Sequence, residues 1–201
     1  MYDWNNKEIW TNQQKWAHQR SKSLILTFDD GPSSVLVPIL DRLKIHDVKA
    51  IFFWQSRLLH KNRPWQRVLD DGHLIGGHSL RHRDLTRLSR KEQFHDILSN
   101  KRHIEQITGR QMKYFRPPYG QFNEDTLDVL KELDLVPCLW EVAGLDWEHK
   151  ENPGHIVHNI LNYAEDGSII LLHELKQTVT ILDELITELK SEGYSFELPP
   201  L

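Results

Sequence analysis

Short apolar runs of strand length alternate with amphipathic helical patterns along nearly the whole chain of 201 residues. Such alternation predicts a parallel sheet with helices packed outside it. We expect a distorted, incomplete (β/α) barrel with about seven parallel strands, and an open doubly wound sheet is the alternative. No glycine-rich phosphate loop follows the first strand, which disfavours nucleotide binding. The predicted strands are 23–28, 49–53, 73–76, 114–115, 136–140, 168–172 and 195–198.

The helical patterns carry recognisable end signals. Ser89 and Glu92 have the spacing of a capping box, and Asn123 is a good first residue for a helix. Glycine directly follows three helical patterns, as is typical of helix C-termini. The four clearest predicted helices are 34–45, 89–108, 123–133 and 176–191.

Length and composition predict one globular domain that is large enough to bury a core. The chain has 25 basic and 29 acidic residues, a formal net charge of −4, so it lacks the basic footprint of a nucleic-acid-binding protein. No apolar run reaches the ~18 residues of a membrane span. The N-terminus lacks the apolar core of a signal peptide, so we expect an intracellular protein or an exported one whose leader has been removed. We expect a monomer.

The first 22 residues form a separate segment in this interpretation, ahead of the main domain at 23–201. They contain Trp4, Trp10 and Trp16 at six-residue spacing. We expect the segment to pack on the domain as a cap, and a sugar-stacking surface is the alternative. The lone Cys138 lies in an apolar run, which favours a buried and unreactive thiol.

Two adjacent carboxylates end the first strand. Asp29 and Asp30 precede Gly31 and Pro32, which stop the strand and begin a loop. Asp-Gly is also a common turn sequence, so the pair alone does not identify a site. Its position does favour function, because active sites of parallel α/β folds lie at the C-terminal ends of strands.

Two histidines follow another predicted strand at a spacing of four residues. His78 and His82 come directly after Gly76 and Gly77, and they can converge on one ion if the loop turns helically. Together with a carboxylate from the first strand they offer two nitrogen ligands and one oxygen ligand, while the second carboxylate remains as a base. This set of groups suits a divalent metal with a base beside it.

Three further segments carry groups that could serve a catalytic site, although each alone could also be merely structural. Arg116 opens a loop that is stiffened by two prolines and ends at Tyr119 and Gly120, so it could orient a carboxylate while a backbone N–H meets an oxyanion. Asp146 and Trp147 could supply a carboxylate partner and an aromatic wall. His173 closes an apolar strand, where it is well placed to act as an acid.

Taken together, these segments resemble the polysaccharide deacetylase family, the NodB homology domain of carbohydrate esterase family 4. Five motifs match in order and span residues 27 to 173. They are TFDDGP at 27–32, HSLRH at 78–82, RPPYG at 116–120, Asp146-Trp147, and Leu171-Leu172-His173.

The resemblance implies metal-dependent removal of N-acetyl groups from glycans that contain N-acetylglucosamine, such as chitooligosaccharide or peptidoglycan, with release of acetate. By motif position, Asp29 is the base and His173 the acid. Arg116 and Asp146 orient these two groups. The resemblance implies that the metal ligands are Asp30, His78 and His82, and that Tyr119, Trp147 and Leu171 contact the substrate.

The ligand set favours Zn²⁺, with Co²⁺, Ni²⁺ or Mn²⁺ as alternatives. O-deacetylation of acetylated xylan is an alternative reaction, and a non-catalytic carbohydrate-binding barrel is an alternative of another class. Two positions depart from the family pattern. Ala143 stands where an acid is usual, and Glu174 stands where aspartate is usual.

Overall fold

The computed structural model describes residues 9–10 and 22–199. Within them, seven parallel strands form one curled sheet in the order β5-β4-β3-β2-β1-β7-β6, and the short β8 pairs with the start of β1. This confirms the predicted incomplete barrel. The strands are β1 (Ser23–Gly31), β2 (Ala50–Trp54), β3 (Leu74–Gly77), β4 (Tyr114–Phe115), β5 (Val136–Pro137), β6 (Val142–Ala143), β7 (Ile169–His173) and β8 (Ser195–Phe196).

Six α-helices lie between the strands in the described chain. The capping box that Ser89 and Glu92 predicted is present, and Asn123 caps the following helix by accepting from the Thr126 N–H. None of these helices combines the length and the apolar character that a bilayer span requires. The helices are α1 (Leu36–Ile45), α2 (Trp65–Asp70), α3 (Arg90–Thr108), α4 (Glu124–Glu132), α5 (Gly154–Tyr163) and α6 (Lys176–Ser191).

The main core lies between the sheet and the helices. Alternate residues of β1 divide between two apolar clusters: Leu26 and Phe28 join the large cluster with the helices, while Ile25 belongs to a smaller one with Ile51 and Phe53. Successive strand residues point to opposite faces, so one strand supplies both clusters. The inner face that carries Ile25 also carries Asp29 into the mouth of the barrel.

Every predicted strand overlaps an observed one, although several bounds differ by one to three residues. β6, which is only two residues long, was not predicted, and neither α2 nor α5 was given a predicted range. The predicted strand 136–140 ends at Pro137 in the structure, where the pairing with its partner β4 also ends. Cys138 forms an isolated parallel bridge with Trp10.

Trp10 lies along the outer edge of β5, one of the two ends of the curled sheet. The Trp10 N–H donates to the Pro137 carbonyl at 2.8 Å, and the Trp10 carbonyl accepts from the Leu139 N–H at 2.7 Å. The indole is 2% exposed and stacks on Tyr114 with ring centroids 5.2 Å apart. Trp10 is therefore a packed residue, whereas Trp4 and Trp16 lie outside the described residues.

The register of the strands gathers the motifs at one edge of the sheet. Asp29 pairs with His173 across β1 and β7, and Gly77 pairs with Phe115 across β3 and β4. His78 and Arg116 follow those two residues directly. Because all these strands are parallel, their C-terminal ends meet at the same mouth.

Candidate active site

A cleft of about 450 Å³ opens at the C-terminal ends of the strands. Eight of the ten predicted site residues line it, and Trp140 and Leu175 complete the lining. The other two predicted residues, Arg116 and Asp146, lie behind the cleft with 0% exposure. The eight lining residues are Asp29, Asp30, Tyr119, Trp147, Leu171, His78, His82 and His173.

A break in strand register lets two adjacent carboxylates reach the same cleft. The pairing of β1 with β2 is irregular between Asp29 and Gly31, and Asp30 has a φ of +69°. The usual alternation of side chains across a strand therefore fails at Asp30. Both carboxylates line the cleft as the sequence predicted.

Three ligand-type side chains form a compact group at this position. Asp30 Oδ1 lies 3.4 Å from His82 Nε2 and 3.8 Å from His78 Nε2. The ligand atoms of all three residues lie within 4.8 Å of one another. Two imidazole nitrogens and one carboxylate oxygen are donors that suit a divalent transition metal and leave further coordination positions open.

The protonation states of these groups also fit a metal. His78 Nδ1 donates to the Arg116 carbonyl oxygen at 2.7 Å, which leaves Nε2 as the lone-pair atom facing the group. Burial lowers the pKa of His78 and outweighs the opposing attraction of the Asp29 and Asp30 charges, so the imidazole is neutral. Burial raises the pKa of Asp30, but attraction to His78 and His82 prevails and the pKa is lowered.

The two histidines converge through a tight turn and not through a helical turn. Ser79 and His82 have φ values of +64° and +55°, and the His82 N–H donates to Ser79 Oγ at 2.7 Å. Asn100 fixes the turn from behind by donating to the Ser79 carbonyl at 2.6 Å. A Cβ on Gly77 would lie 2.3 Å from Asn100 Oδ1, so the close approach requires glycine here.

Arg116 anchors Asp29 from beneath the cleft. Its Nη1 donates to Asp29 Oδ1 at 2.7 Å and to Thr27 Oγ1 at 2.8 Å. Its Nε and Nη2 donate to the backbone carbonyls of Cys138 and Leu139 at 3.1 and 2.8 Å. A buried guanidinium bound on several sides holds one orientation, so it fixes the Asp29 carboxylate rather than contacting a substrate.

Asp146 holds His173 on the opposite side of the cleft. Its Oδ1 lies 2.7 Å from His173 Nδ1, and its Oδ2 accepts from the His173 N–H at 2.7 Å and from Thr178 Oγ1 at 2.6 Å. Burial lowers the pKa of His173, but the hydrogen bond to Asp146 and its charge prevail and raise it. The imidazole is therefore held ready to carry a proton on Nε2.

Aromatic and aliphatic side chains form the walls of the cleft. Tyr119 is 60% exposed and packs edge-on against the His82 ring, with ring centroids 4.4 Å apart. Trp147 is 46% exposed, and its ring centroid lies 5.1 Å from that of His173. Leu171 is 2% exposed and supplies a buried apolar surface. Trp140 also lines the cleft, although no sequence motif includes it.

Glu174, one of the two departures from the family pattern, braces the back of the site. It accepts from Trp54 Nε1 at 2.8 Å and from the Ser33 N–H at 2.7 Å. Burial raises the pKa of its carboxyl despite these hydrogen bonds. A Cβ on Gly31 would lie 1.7 Å from Glu174 Oε1, so glycine at position 31 makes room for the longer acid. Ala143, the other departure, lies in β6 and pairs with Leu171 of β7.

Gln55 is a site residue that the sequence analysis missed. It is 5% exposed, and its Nε2 donates to Asp30 Oδ1 at 2.7 Å. Arg57 Nε donates to its Oε1 at 3.0 Å and so fixes the orientation of the amide. The available signal was its place directly after β2, where a polar residue faces the same mouth as the motifs.

We expect Gln55→Leu to weaken binding of Zn²⁺ by about ten- to a hundredfold, because it removes the donor that orients Asp30. A competition titration against a chromophoric chelator measures this affinity without reference to activity. Gln106→Leu, an equal change at an exposed position on α3, is the matched control and should bind as the unaltered protein does. Equal affinities for all three proteins would contradict the positioning role.

Comparison with known proteins supplies a family and several relatives. The family model for polysaccharide deacetylase matches residues 17–138. The peptidoglycan-N-acetylglucosamine deacetylase PgdA of Listeria monocytogenes is 40% identical over 179 residues, covering 88% of this chain but only 38% of the relative. The peptidoglycan-N-acetylmuramic acid deacetylase PdaA of Bacillus subtilis is 35% identical, covering 90% of this chain and 71% of the relative.

Solved structures agree with the fold. A peptidoglycan N-acetylglucosamine deacetylase superposes with a TM-score of 0.85 at 31% identity, covering 94% of this chain and 89% of the other. A pseudoenzyme of carbohydrate esterase family 4 from Bacillus anthracis superposes with a TM-score of 0.83 at 30% identity, covering 89% and 64%. Since an enzyme and a pseudoenzyme share this fold, activity has to be argued from the residues of the cleft.

Proposed function

Because the chain belongs to the polysaccharide deacetylase family, we propose that it removes N-acetyl groups from N-acetylglucosamine residues of peptidoglycan or chitooligosaccharide and releases acetate. The Listeria relative is much longer than the part this chain matches, so its substrate alone does not identify the substrate of this chain. The reaction is hydrolysis of an amide: water adds to the acetyl carbonyl carbon, the C–N bond breaks, and acetate and a free amine remain.

One observation carries the proposal. A base candidate and an acid candidate flank the same three-ligand group, and each is held by its own buried charged partner. Asp29 is bound by Arg116 at 2.7 Å, and His173 is bound by Asp146 at 2.7 Å. Amide hydrolysis needs a group that takes a proton from water and another that gives one to the departing nitrogen.

Asp30, His78 and His82 would hold one divalent metal ion, which we propose is Zn²⁺. The donor set of two imidazoles and one carboxylate fits that ion: the hydrogen bond of His78 leaves its Nε2 to coordinate, and the lowered pKa values of His78 and Asp30 favour a neutral imidazole and an ionised carboxylate. When bound, such an ion supplies Lewis-acid chemistry to the acetamide carbonyl and to water.

Asp29 acts in this proposal as the general base. Its carboxylate accepts the proton of the water that adds to the acetamide, while Arg116 keeps one oxygen fixed. The backbone N–H of Tyr119, at the rim of the cleft, would donate to the oxygen that becomes negatively charged. Leu171 and Trp147 would enclose the methyl group of the acetyl.

His173 acts in this proposal as the general acid. An amine leaves poorly unless its nitrogen is protonated, so the reaction needs a donor on the far side of the acetyl group. Asp146 bonds Nδ1 and stabilises the imidazolium, which leaves the Nε2 proton for the leaving nitrogen. Arg116 and Asp146 are thus positioning residues, since each acts through the group it holds.

The test is acetate release from three substrates, measured with and without a chelator. We expect the zinc-loaded protein to release acetate from chitooligosaccharide and from peptidoglycan fragments, and more slowly from acetylated xylan. Chelation should abolish release, and added Zn²⁺ should restore it. Glycan binding without acetate from any substrate would instead favour a non-catalytic barrel, and full activity in metal-free protein would contradict the metal site.

The monomeric state also belongs to this proposal. All groups assigned above come from one chain, so the chemistry needs no second copy. Light scattering of the active protein tests the point.

A further inference from the structure

A second groove, which the mechanism above does not use, adjoins the catalytic cleft. It encloses about 560 Å³ and shares two lining residues, His82 and Tyr119, with the cleft. A chain of sugars that enters the cleft can therefore continue into this groove. The remaining lining residues are Arg83, Asp84, Arg87, Leu88 and Gln121.

The groove presents two arginine side chains to solvent. The Arg83 side chain is 50% exposed and the Arg87 side chain is 85% exposed. Arg83 Nη2 bonds Asp96 Oδ2 at 3.2 Å, and Asp96 is completely buried and also accepts from the Leu80 N–H. Within residues 9–10 and 22–199 this is the one hydrogen bond of the Arg83 guanidinium, which has five N–H donors in total.

The surrounding segment is basic although the chain as a whole is acidic. Arg87 is neutralised in part by Asp84 at 3.2 Å, but this pair is exposed and therefore weak. The segment 81–91 carries Arg81, Arg83, Arg87, Arg90 and Lys91 against the single acid Asp84, although Arg90 is paired with Glu132 at 2.7 Å.

We propose that this groove is a subsite for a carboxylate, and that Arg83 and Arg87 hold the anionic neighbour of the sugar that is deacetylated. This inference rests on the proposed function. Arginine suits the role because its planar fork donates two parallel hydrogen bonds to a carboxylate. The exposed ring of Tyr119 lies between the two sites and offers a surface on which a sugar can pack.

Peptidoglycan contains two sources of such a carboxylate. The lactyl ether of N-acetylmuramic acid ends in a carboxylate when it bears no peptide. When it bears one, that group becomes an amide and the stem peptide contributes its own carboxylates. Chitooligosaccharide has neither carboxylate. Comparing peptide-free peptidoglycan, peptide-bearing peptidoglycan and chitooligosaccharide therefore distinguishes the two carboxylates from each other and from binding of neutral sugars.

The experiment compares kcat/KM on peptide-free peptidoglycan oligosaccharide, peptide-bearing fragment and chitooligosaccharide of equal length. We expect Arg83→Gln and Arg87→Gln each to lower kcat/KM for at least one anionic substrate by about tenfold or more, because each removes a hydrogen bond to a charged group. Values for chitooligosaccharide should change less than about twofold. Added salt should reduce the difference in kcat/KM between anionic and neutral substrates in the unaltered protein.

Arg83→Gln also removes a charge opposite buried Asp96 and could unfold the loop. Gln121→Glu avoids this problem, since it adds a negative charge to the groove and should lower kcat/KM for the same anionic substrates. Arg110→Gln makes the equal charge change at an exposed position that lines neither cavity, so all three kcat/KM values should stay unchanged.

Two outcomes overturn the inference while the proposed function stands. In one, the ratio of kcat/KM on anionic substrates to kcat/KM on the neutral substrate is the same in all variants as in the unaltered protein. In the other, losses are equal on all three substrates, which would make the arginines merely structural. Absence of acetate from every substrate would instead contradict the proposed function itself.

Discussion

Asp29→Asn is expected to lower turnover by roughly 10²-fold or more while the protein keeps its metal, the usual scale for loss of a general base. Asparagine can still accept the hydrogen bond of Arg116 Nη1, which is 2.7 Å from Asp29 Oδ1, but it cannot take a proton from water. Metal content by mass spectrometry and turnover on chitooligosaccharide, measured on the same preparation, check both halves of the expectation.

The same substitution should also reduce stability. Arg116 is 0% exposed and Asp29 is the carboxylate opposite its guanidinium, so the variant leaves a buried charge without its counter-ion. Breaking such a pair costs about 3–5 kcal/mol in typical cases. Turnover should therefore be measured well below the unfolding temperature of the variant, so that lost folding is not read as lost chemistry.

Asp30→Asn and His78→Ala are the matched comparisons. Each removes one member of the ligand group, so each should lose metal and turnover together. If Asp29→Asn releases the ion while Asp30→Asn retains it, the roles of the two neighbouring carboxylates are reversed. Stoichiometric metal in a double His78→Ala, His82→Ala variant would contradict the metal assignment as a whole.

His173→Ala is expected to retain metal, to lose roughly 10²-fold or more of its turnover on amide substrates, and to lose the alkaline limb of the pH profile. Asp146 raises the pKa of His173 above its ordinary value, despite the opposing effect of burial. The acid form is therefore present at neutral pH and is lost as the pH rises through that raised pKa. Turnover of the unaltered protein should fall over the same interval, and a pH profile of kcat measures it.

Substrate choice separates an acid from a residue that only shapes the cleft. Activated aryl esters have good leaving groups that need little protonation, so His173→Ala should impair them far less than amides. Asp146→Asn should shift the alkaline limb to lower pH, because burial then lowers the pKa of His173 against only the weaker attraction of Asp29 and Asp30. Equal losses of turnover on amides and aryl esters in His173→Ala would contradict the acid role. An alkaline limb at the same pH in Asp146→Asn as in the unaltered protein would also contradict it.

The signals that predicted the fold are local ones. Ser89 and Glu92 cap their helix wherever it packs, and the run from Ser23 to Phe28 predicts a strand because four of its six residues are apolar. β6 was not predicted, and the predicted strand 136–140 is longer than the observed β5. The second error has a tertiary cause, since the length of a strand depends on its partner, and β4 pairs with β5 only at Val136 and Pro137.

Most titratable groups of the candidate site could be predicted from the sequence, whereas Gln55 and Trp140 could not. Asp29, Asp30, His78, His82 and His173 each follow a strand run, and parallel strands bring such positions to one mouth. The geometry of the turn was not predicted: the sequence suggested a helical turn between His78 and His82, whereas positive φ at Ser79 and His82 achieves the convergence.

Only the tertiary structure decided which groups hold the reactive ones. Gln55 bonds Asp30 because β2 and β1 are neighbours in the sheet, and Arg116 bonds Thr27 because the curl of the sheet brings the end of β4 close to β1 although two strands lie between them. The groove of Arg83 and Arg87 depends in the same way on the buried carboxylate of Asp96, which lies in α3. Residue type and local spacing determine what chemistry a chain can offer, but hydrogen bonds and charges act through space. Long-range packing therefore determines which side chains are oriented, ionised and within reach of a ligand.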